Sequence, residues 1–246
     1  MHKRVRIFAG PNGSGKSTIK KIVDEKVHLG AYVNADEIKV TLSRNRNLDF
    51  SLYGLTLHKE HFINTLRKST WSKRMDDVEH TISQFHFEGN CIRISDSYDP
   101  EDYFVSFIAS YIWDELLESS NKFTVETVMS HPSKLDFIKR AKDQGFKVYL
   151  YFVSLADPDL NKRRVETRVL AGGHDVAPEK IEKRYYKTMT NLLSALRLAD
   201  DAYLFDNSYG EPNMFAIKKG NTLEIQGDYI PKWFITYVIE KLTNKK

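Results

Sequence analysis

Apolar residues along the chain alternate between short runs and helical spacing. Val5, Arg6, Ile7, Phe8 and Ala9 read as a buried strand, and Ile19, Ile22 and Val23 then recur at the period of a helix face. Ala31 to Val33 is a second short strand, after which Asn34-Ala35-Asp36-Glu37-Ile38 opens another helix. Phe104, Phe107, Ile108, Tyr111, Ile112 and Leu116 form an amphipathic helix introduced by Asp99-Pro100, and they read as core. Phe123 to Val125 is a strand ending in Glu126-Thr127. A helix through Leu135, Ile138 and Ala141 follows, with a stop at Gly145 and a long apolar strand from Val148 to Val153. Asp157-Pro158 starts a helix that ends at Gly172-Gly173-His174-Asp175, and Pro178 opens one running from about Glu179 to Leu198. A strand at Ala202 to Phe205 leads to Asp206-Asn207. A hairpin then joins Met214–Lys218 to Thr222–Ile225 through Gly220-Asn221, and Trp233, Phe234, Tyr237, Val238 and Leu242 mark a last helix.

Strands that alternate with helices predict an α/β fold, three layers deep, with a mostly parallel sheet covered on both faces. A chain of 246 residues with 41% hydrophobic content can bury such a core, and one domain over residues 1–246 accommodates it. From about 43 to 97 the chain turns polar and reads as an insertion after the second strand. Within it Leu52, Leu55, Phe62, Ile63 and Leu66 keep helical spacing and Asn90 to Ser95 resembles a short strand. A cover for a site, a partner surface and a solvated decoration are all compatible with this composition.

Between the first strand and the first helix lies Gly10-Pro11-Asn12-Gly13-Ser14-Gly15-Lys16-Ser17-Thr18, which fits GxxxxGK[ST]. Strand, glycine-rich loop and helix in that order are the context the motif needs. Gly13 and Gly15 let backbone N–H groups turn inward as a nest for phosphate oxygens, and the following helix adds its N-terminal partial charge. Residues Gly10, Asn12, Gly13, Ser14, Gly15, Lys16, Ser17 and Thr18 are therefore the expected nucleotide-binding set. Lys16 reaches the outer phosphates and Ser17 is the magnesium ligand. ATP and Mg²⁺ are the implied cofactors of a P-loop NTPase fold.

Transfer of the phosphoryl group to a hydroxyl needs a carboxylate for the proton and cations for the developing charge. Asp36, at the carboxyl end of a strand where α/β sheets bind ligands, is the candidate base; capping of its own helix is an equal alternative. Arg164 and Arg168 are four apart, so one helical face brings both to a single anion, against the alternative of a solvated basic face with Lys162 and Arg163. The glycine pair just beyond makes a hinge, and a helix plus hinge is how a small-molecule kinase builds a water-excluding helical lid. Glu126 reads as a substrate contact, a metal contact through water, or a structural ion pair, with Thr127 adding a hydroxyl for a polar ligand. His174 takes a lid or substrate role by its neighbours.

The 37 basic and 33 acidic residues are scattered, so the net charge of +4 does not indicate a nucleic-acid surface. Cys91 stands alone, which excludes an internal disulfide and a cysteine zinc cluster. The start MHKRVRIF leaves no apolar signal stretch and no run reaches a membrane span, so a soluble cytoplasmic protein is expected. A motor ATPase would show an LSGGQ-like signature and a strand ending in a carboxylate pair, and neither is present.

Taken in order, GPNGSGKST, NADEI, FTVETVMS, RRVETRVLAGGHDV, IEKRYYKTMTNL and FDNS resemble the zeta toxin family of P-loop kinases, in particular the chromosomal branch whose lid carries GGHDV. The resemblance covers residues 1–42 and about 99–210. It implies an ATP-dependent kinase acting on the 3′-hydroxyl of UDP-N-acetylglucosamine, with Asp36 as base and Lys16, Arg164 and Arg168 as charge stabilisers. Asn34, Glu126, Thr127 and His174 fall on the substrate side, and a small antitoxin is the implied protein partner. Many members carry a threonine where this chain has Val128.

Overall fold

A computed structural model describes residues 2–173 and 175–243. In chain order its elements are β1 (Arg4–Ala9), α1 (Lys16–Asp24), β2 (Ala31–Val33), α2 (Ala35–Asn45), β3 (Asn47–Asp49), α3 (Lys59–Lys68), α4 (Val78–Ser83), β4 (Phe85–Glu88), β5 (Cys91–Ile94), α5 (Asp102–Ser119) and β6 (Lys122–Thr127). They continue with α6 (Ser133–Asp143), β7 (Lys147–Ser154), α7 (Pro158–Leu170), α8 (Pro178–Leu198), β8 (Asp201–Asp206), β9 (Asn213–Lys219) and β10 (Thr222–Ile225). A helical segment over 232–243 closes the chain, with a π-helical stretch at Ile235–Ile239. The chain divides into two compact units, Met1–Leu29 with Glu126–Lys246, and Gly30–Val125.

The first unit holds strands in the order β10-β9-β8-β7-β1. β1, β7 and β8 run parallel, and the β9–β10 hairpin continues antiparallel from β8. Because side chains alternate along a strand, the register that pairs Phe8 with Tyr151 and Tyr151 with Tyr203 lines three rings up on one face. These rings stack at 4.8 Å and 5.1 Å between centroids. Ile19 of α1 and Leu29 join Phe8, Tyr151 and Val153 in one buried cluster on that face. The opposite face carries Phe152, whose ring lies 5.8 Å from Trp233 of the terminal helix, and Ser154, whose hydroxyl meets Met189 of α8. Helices thus cover the sheet on both sides, as the alternating pattern predicts.

In the second unit β2 and β6 pair in parallel, and a separate antiparallel sheet takes the order β3-β5-β4. The polar stretch hides more structure than its composition suggests: α3 holds Phe62, Ile63 and Leu66 and β5 lies within Asn90–Ser95, but Leu52 sits in a separate 3-10 turn at Phe50–Tyr53, Leu55 is in no helix, and β3, β4 and α4 are additional. α2 runs on to Asn45, and α5 begins at Asp102 rather than at Asp99-Pro100, with Glu101 as its N-cap. The stretch is not a solvated decoration. Phe62 of α3 is fully buried, with ring centroids of Phe107 and Tyr111 of α5 at 5.1 and 4.9 Å and those of Phe85 and Phe87 of β4 at 6.0 and 5.8 Å. Edge-to-face packing of this kind adds to the area buried. Among the described residues no helix is long and apolar enough to cross a membrane.

Phe62→Ala is expected to cost about 3–5 kcal/mol by emptying the centre of this aromatic cluster. Urea denaturation of the two proteins checks it; a loss below about 1 kcal/mol would mean that the cluster does not hold the stretch in place.

Candidate functional site

The loop between β1 and α1 is set by its glycines. Gly10, Gly13 and Gly15 have φ of 149°, 74° and 96°, a region that side-chain-bearing residues avoid. Space is as restrictive as conformation: a Cβ on Gly10 would lie 2.0 Å from the Val153 carbonyl oxygen, and one on Gly15 2.2 Å from Asn207 Nδ2. Gly15 is the N-cap of α1, so the first-turn N–H groups of the helix open at the loop. Lys16 is 8% exposed and folds back over the loop, donating from Nζ to the carbonyls of Gly10 (3.1 Å) and Pro11 (3.2 Å). Its ammonium stands 3.8 Å from Glu126 Oε1 at the end of β6, an ion pair too long to be a hydrogen bond. Ser17 and Thr18 are exposed at the helix start.

Two asparagines brace the loop from behind. Asn161 of α7 donates from Nδ2 to the Asn12 carbonyl at 2.6 Å, and Asn207, just beyond β8, donates to the Ser14 carbonyl at 2.9 Å. Arg164 donates from Nη2 to the Asn207 carbonyl at 2.6 Å, and its Cβ lies 3.5 Å from where a Gly13 Cβ would stand. Arg164 therefore sits against the phosphate loop, one face with Asn161 and Arg168 by the i, i+3, i+7 spacing. The basic run divides: Arg163 is exposed, while Lys162 pairs with Glu182 of α8 (2.6 Å) and Asp159 (3.0 Å). Hydrogen bonds to Glu182 and then Asp159 push the Lys162 ammonium up to about 12. Arg184 of α8 reaches Asn12 Oδ1 at 3.5 Å, the outer limit of a hydrogen bond.

Other expected residues have local structural partners. Asn34 is the N-cap of α2: its Oδ1 accepts from Asp36 N–H at 2.9 Å and its Nδ2 donates to the Tyr32 hydroxyl at 3.2 Å. The cap is thus Asn34 and not Asp36, which removes the capping alternative for the Asp36 carboxylate. Thr127 Oγ1 accepts from Met129 N–H at 3.0 Å, stabilising a turn in which Met129 takes a φ of 60°. Gly172 and Gly173 are expected to be a flexible hinge, but their N–H groups bond to the carbonyls of Val169 (2.8 Å) and Arg168 (2.9 Å), a helix stop of Schellman type. His174 lies outside the described residues.

Asn161, Asn207 and Arg184 were not singled out from the sequence. Asn207 had a signal, a polar residue directly after the strand at Ala202–Phe205. Asn161 had one in its helical phase with the arginines. No group of three or more His, Cys, Asp or Glu side chains able to hold a metal occurs among the described residues.

No protein-family model matches the chain. An uncharacterized protein of Haemophilus influenzae strain Rd is 33% identical over 188 residues, which make up 75% of this chain and 94% of that protein. The chain belongs to that protein's family. Among solved structures, AvrRxo1-ORF1 in its complex with AvrRxo1-ORF2 and ATP is similar with a TM-score of 0.60 and 16% identity, covering 98% of this chain and 64% of that one. The same complex with sulphate ions gives a TM-score of 0.57 at 16% identity, covering 92% of this chain and 61% of that one. The chain spans about three fifths of the length of those solved chains, and at such identity the likeness is one of fold. The chain thus shares the α/β fold of that AvrRxo1-ORF1 chain, with its glycine-rich loop between the first strand and the first helix.

Gly10→Ala is expected to destabilise the protein by at least about 2 kcal/mol, since strain at positive φ is joined by a clash with main chain that cannot move aside. Gly172→Ala, where nothing lies within 4 Å of the added carbon, is expected to cost about 1 kcal/mol. Paired thermal melts check this; equal losses would show that the loop shifts to admit the methyl group.

Proposed function

We propose that this protein is an ATP-dependent small-molecule kinase of zeta toxin type, transferring phosphate to a hydroxyl of a sugar nucleotide such as UDP-N-acetylglucosamine. The observation that carries the reading is convergence within one unit: a glycine-built phosphate nest, Lys16 folded across it, Glu126 at 3.8 Å from that lysine, and Arg164 against the loop. A nest with cations on two sides is suited to neutralising the charge of a phosphate in flight.

Lys16, Arg164 and Arg168 are the proposed charge stabilisers and Asp36 the base that accepts the hydroxyl proton. Asp36 follows a strand end, and its side chain is not the cap of its helix. Gly10 to Thr18 hold the nucleotide. Mg²⁺, when bound through Ser17 and the phosphates, supplies further charge neutralisation. Asn34, Glu126, Thr127 and His174 are assigned to the acceptor side. For Thr127 and Asn34 that role has to coexist with the turn and the cap they already form. The sugar nucleotide is supported by the order of the sequence motifs. A cytoplasmic site of action and a small antitoxin partner belong to the same reading; the AvrRxo1 chain of similar fold was solved with a second protein.

Purified protein with Mg²⁺ and ATP is expected to add one phosphate to a UDP-sugar, detected by mass spectrometry, in a screen that also offers nucleotides and dinucleotides. Asp36→Asn is expected to lower transfer by about 10²–10⁴-fold while ATP affinity is unchanged. Near-normal transfer by Asp36→Asn would remove the base assignment, and loss of phosphate only to water with every acceptor would remove the kinase.

A further inference from the structure

We infer that Asn161 and Asn207 are positioning residues that aim the phosphate nest, and through it set the affinity for polyphosphate. The inference rests on the nucleotide-binding reading above and assigns a task to two buried amides that the reaction scheme does not use. Asn161 is 0% exposed and Asn207 4%.

The argument follows from peptide geometry. A trans peptide is planar, so the carbonyl of one residue and the N–H of the next point in opposite directions. Asn161 Nδ2 draws the Asn12 carbonyl outward at 2.6 Å, which turns the N–H of Gly13 to the other side of the loop. Asn207 Nδ2 does the same to the Ser14 carbonyl at 2.9 Å, and so to the N–H of Gly15. Two amides two residues apart thereby aim two N–H donors into the concavity, at the glycines whose φ is positive. The glycine sites are shaped around these braces: a Cβ on Gly13 would lie 2.8 Å from the Asn161 carbonyl oxygen and one on Gly15 2.2 Å from Asn207 Nδ2.

Both asparagines are themselves held. Asn207 N–H donates to the Ser154 carbonyl at the end of β7 at 2.9 Å, and its own carbonyl takes the Arg164 guanidinium at 2.6 Å. Asn161 rides on α7, capped by Asp157, whose carboxylate accepts from the N–H groups of Asp159 (2.9 Å) and Leu160 (3.0 Å). Because fixed donors need no reorganisation when an anion arrives, their loss falls on affinity for phosphate.

The test is calorimetric titration of ATP and of inorganic tripolyphosphate into the parent chain, Asn161→Ala, Asn207→Ala and the near-isosteric Asn207→Leu, each well below its melting temperature. Each variant is expected to bind both ligands about ten- to hundredfold more weakly, with Leu no better than Ala since it fills the space without a donor. Folded variants that bind tripolyphosphate within twofold of the parent overturn the inference and leave the nucleotide reading standing. Should the Asn207 variants not fold, Asn161→Ala decides; if none folds, the amides are structural supports and the inference fails. A parent chain that binds neither ligand takes the nucleotide reading down as well.

Discussion

The path of the main chain from Gly10 to Thr18 is the constraint on which the rest depends. A phosphate site made of backbone N–H groups exists only while successive peptides keep one orientation, and a flexible glycine loop has no intrinsic reason to do so. Here orientation is imposed from outside. Val153 at the end of β7 closes on Gly10, α7 closes on Gly13, and the segment after β8 closes on Gly15. The parallel order β1-β7-β8 is what brings those elements to the same edge. Sheet topology and loop chemistry are in this sense one problem, since a different strand order would leave the glycines free to collapse.

The arginines share that anchorage. α7 and α8 are joined by a small cluster of Val165, Val176 and Ile181, with Val169 packed on it, and by Lys162 between Asp159 and Glu182. Arg164 lies on the helix that also carries Asn161, so the helix is tied to the phosphate loop through Asn161 and, one turn on, to Asn207 through Arg164. The glycine pair at 172–173 lies C-terminal to Asn161 and Arg164. Bending there cannot carry Arg164 away from the loop, and the pair serves the helix as a stop.

The repeating α/β pattern was legible because its strands are short apolar runs and its helices keep one apolar face, from Val5–Ala9 to the hairpin at 213–225. The phosphate loop was legible because only glycine satisfies its backbone. Much of the 43–97 stretch was not, for a physical reason: its strands β3 and β4 have three and four residues, too few for alternation to show, and its core is a knot of rings drawn from separate elements. Asn161 and Asn207 were missed because their task is to hold main chain, and a side-chain amide bonded to a carbonyl leaves no motif beyond its position. Thr127, a hydroxyl at a strand end, also completes a turn, which its position alone did not disclose.

Lys16 and Glu126 carry the remaining step. Their side chains are 9% and 8% exposed and stand 3.8 Å apart, and Lys16 also donates to the carbonyls of Gly10 and Pro11. Desolvating two charges costs several kcal/mol per ion, and only excellent geometry recovers it. A buried ion pair is therefore weak evidence for stability and a good place to look for function. On the kinase reading a triphosphate in the nest offers Lys16 shorter, charge-assisted bonds than Glu126 does. The lysine then moves its charge from carboxylate to phosphate, which weakens its hold on Glu126.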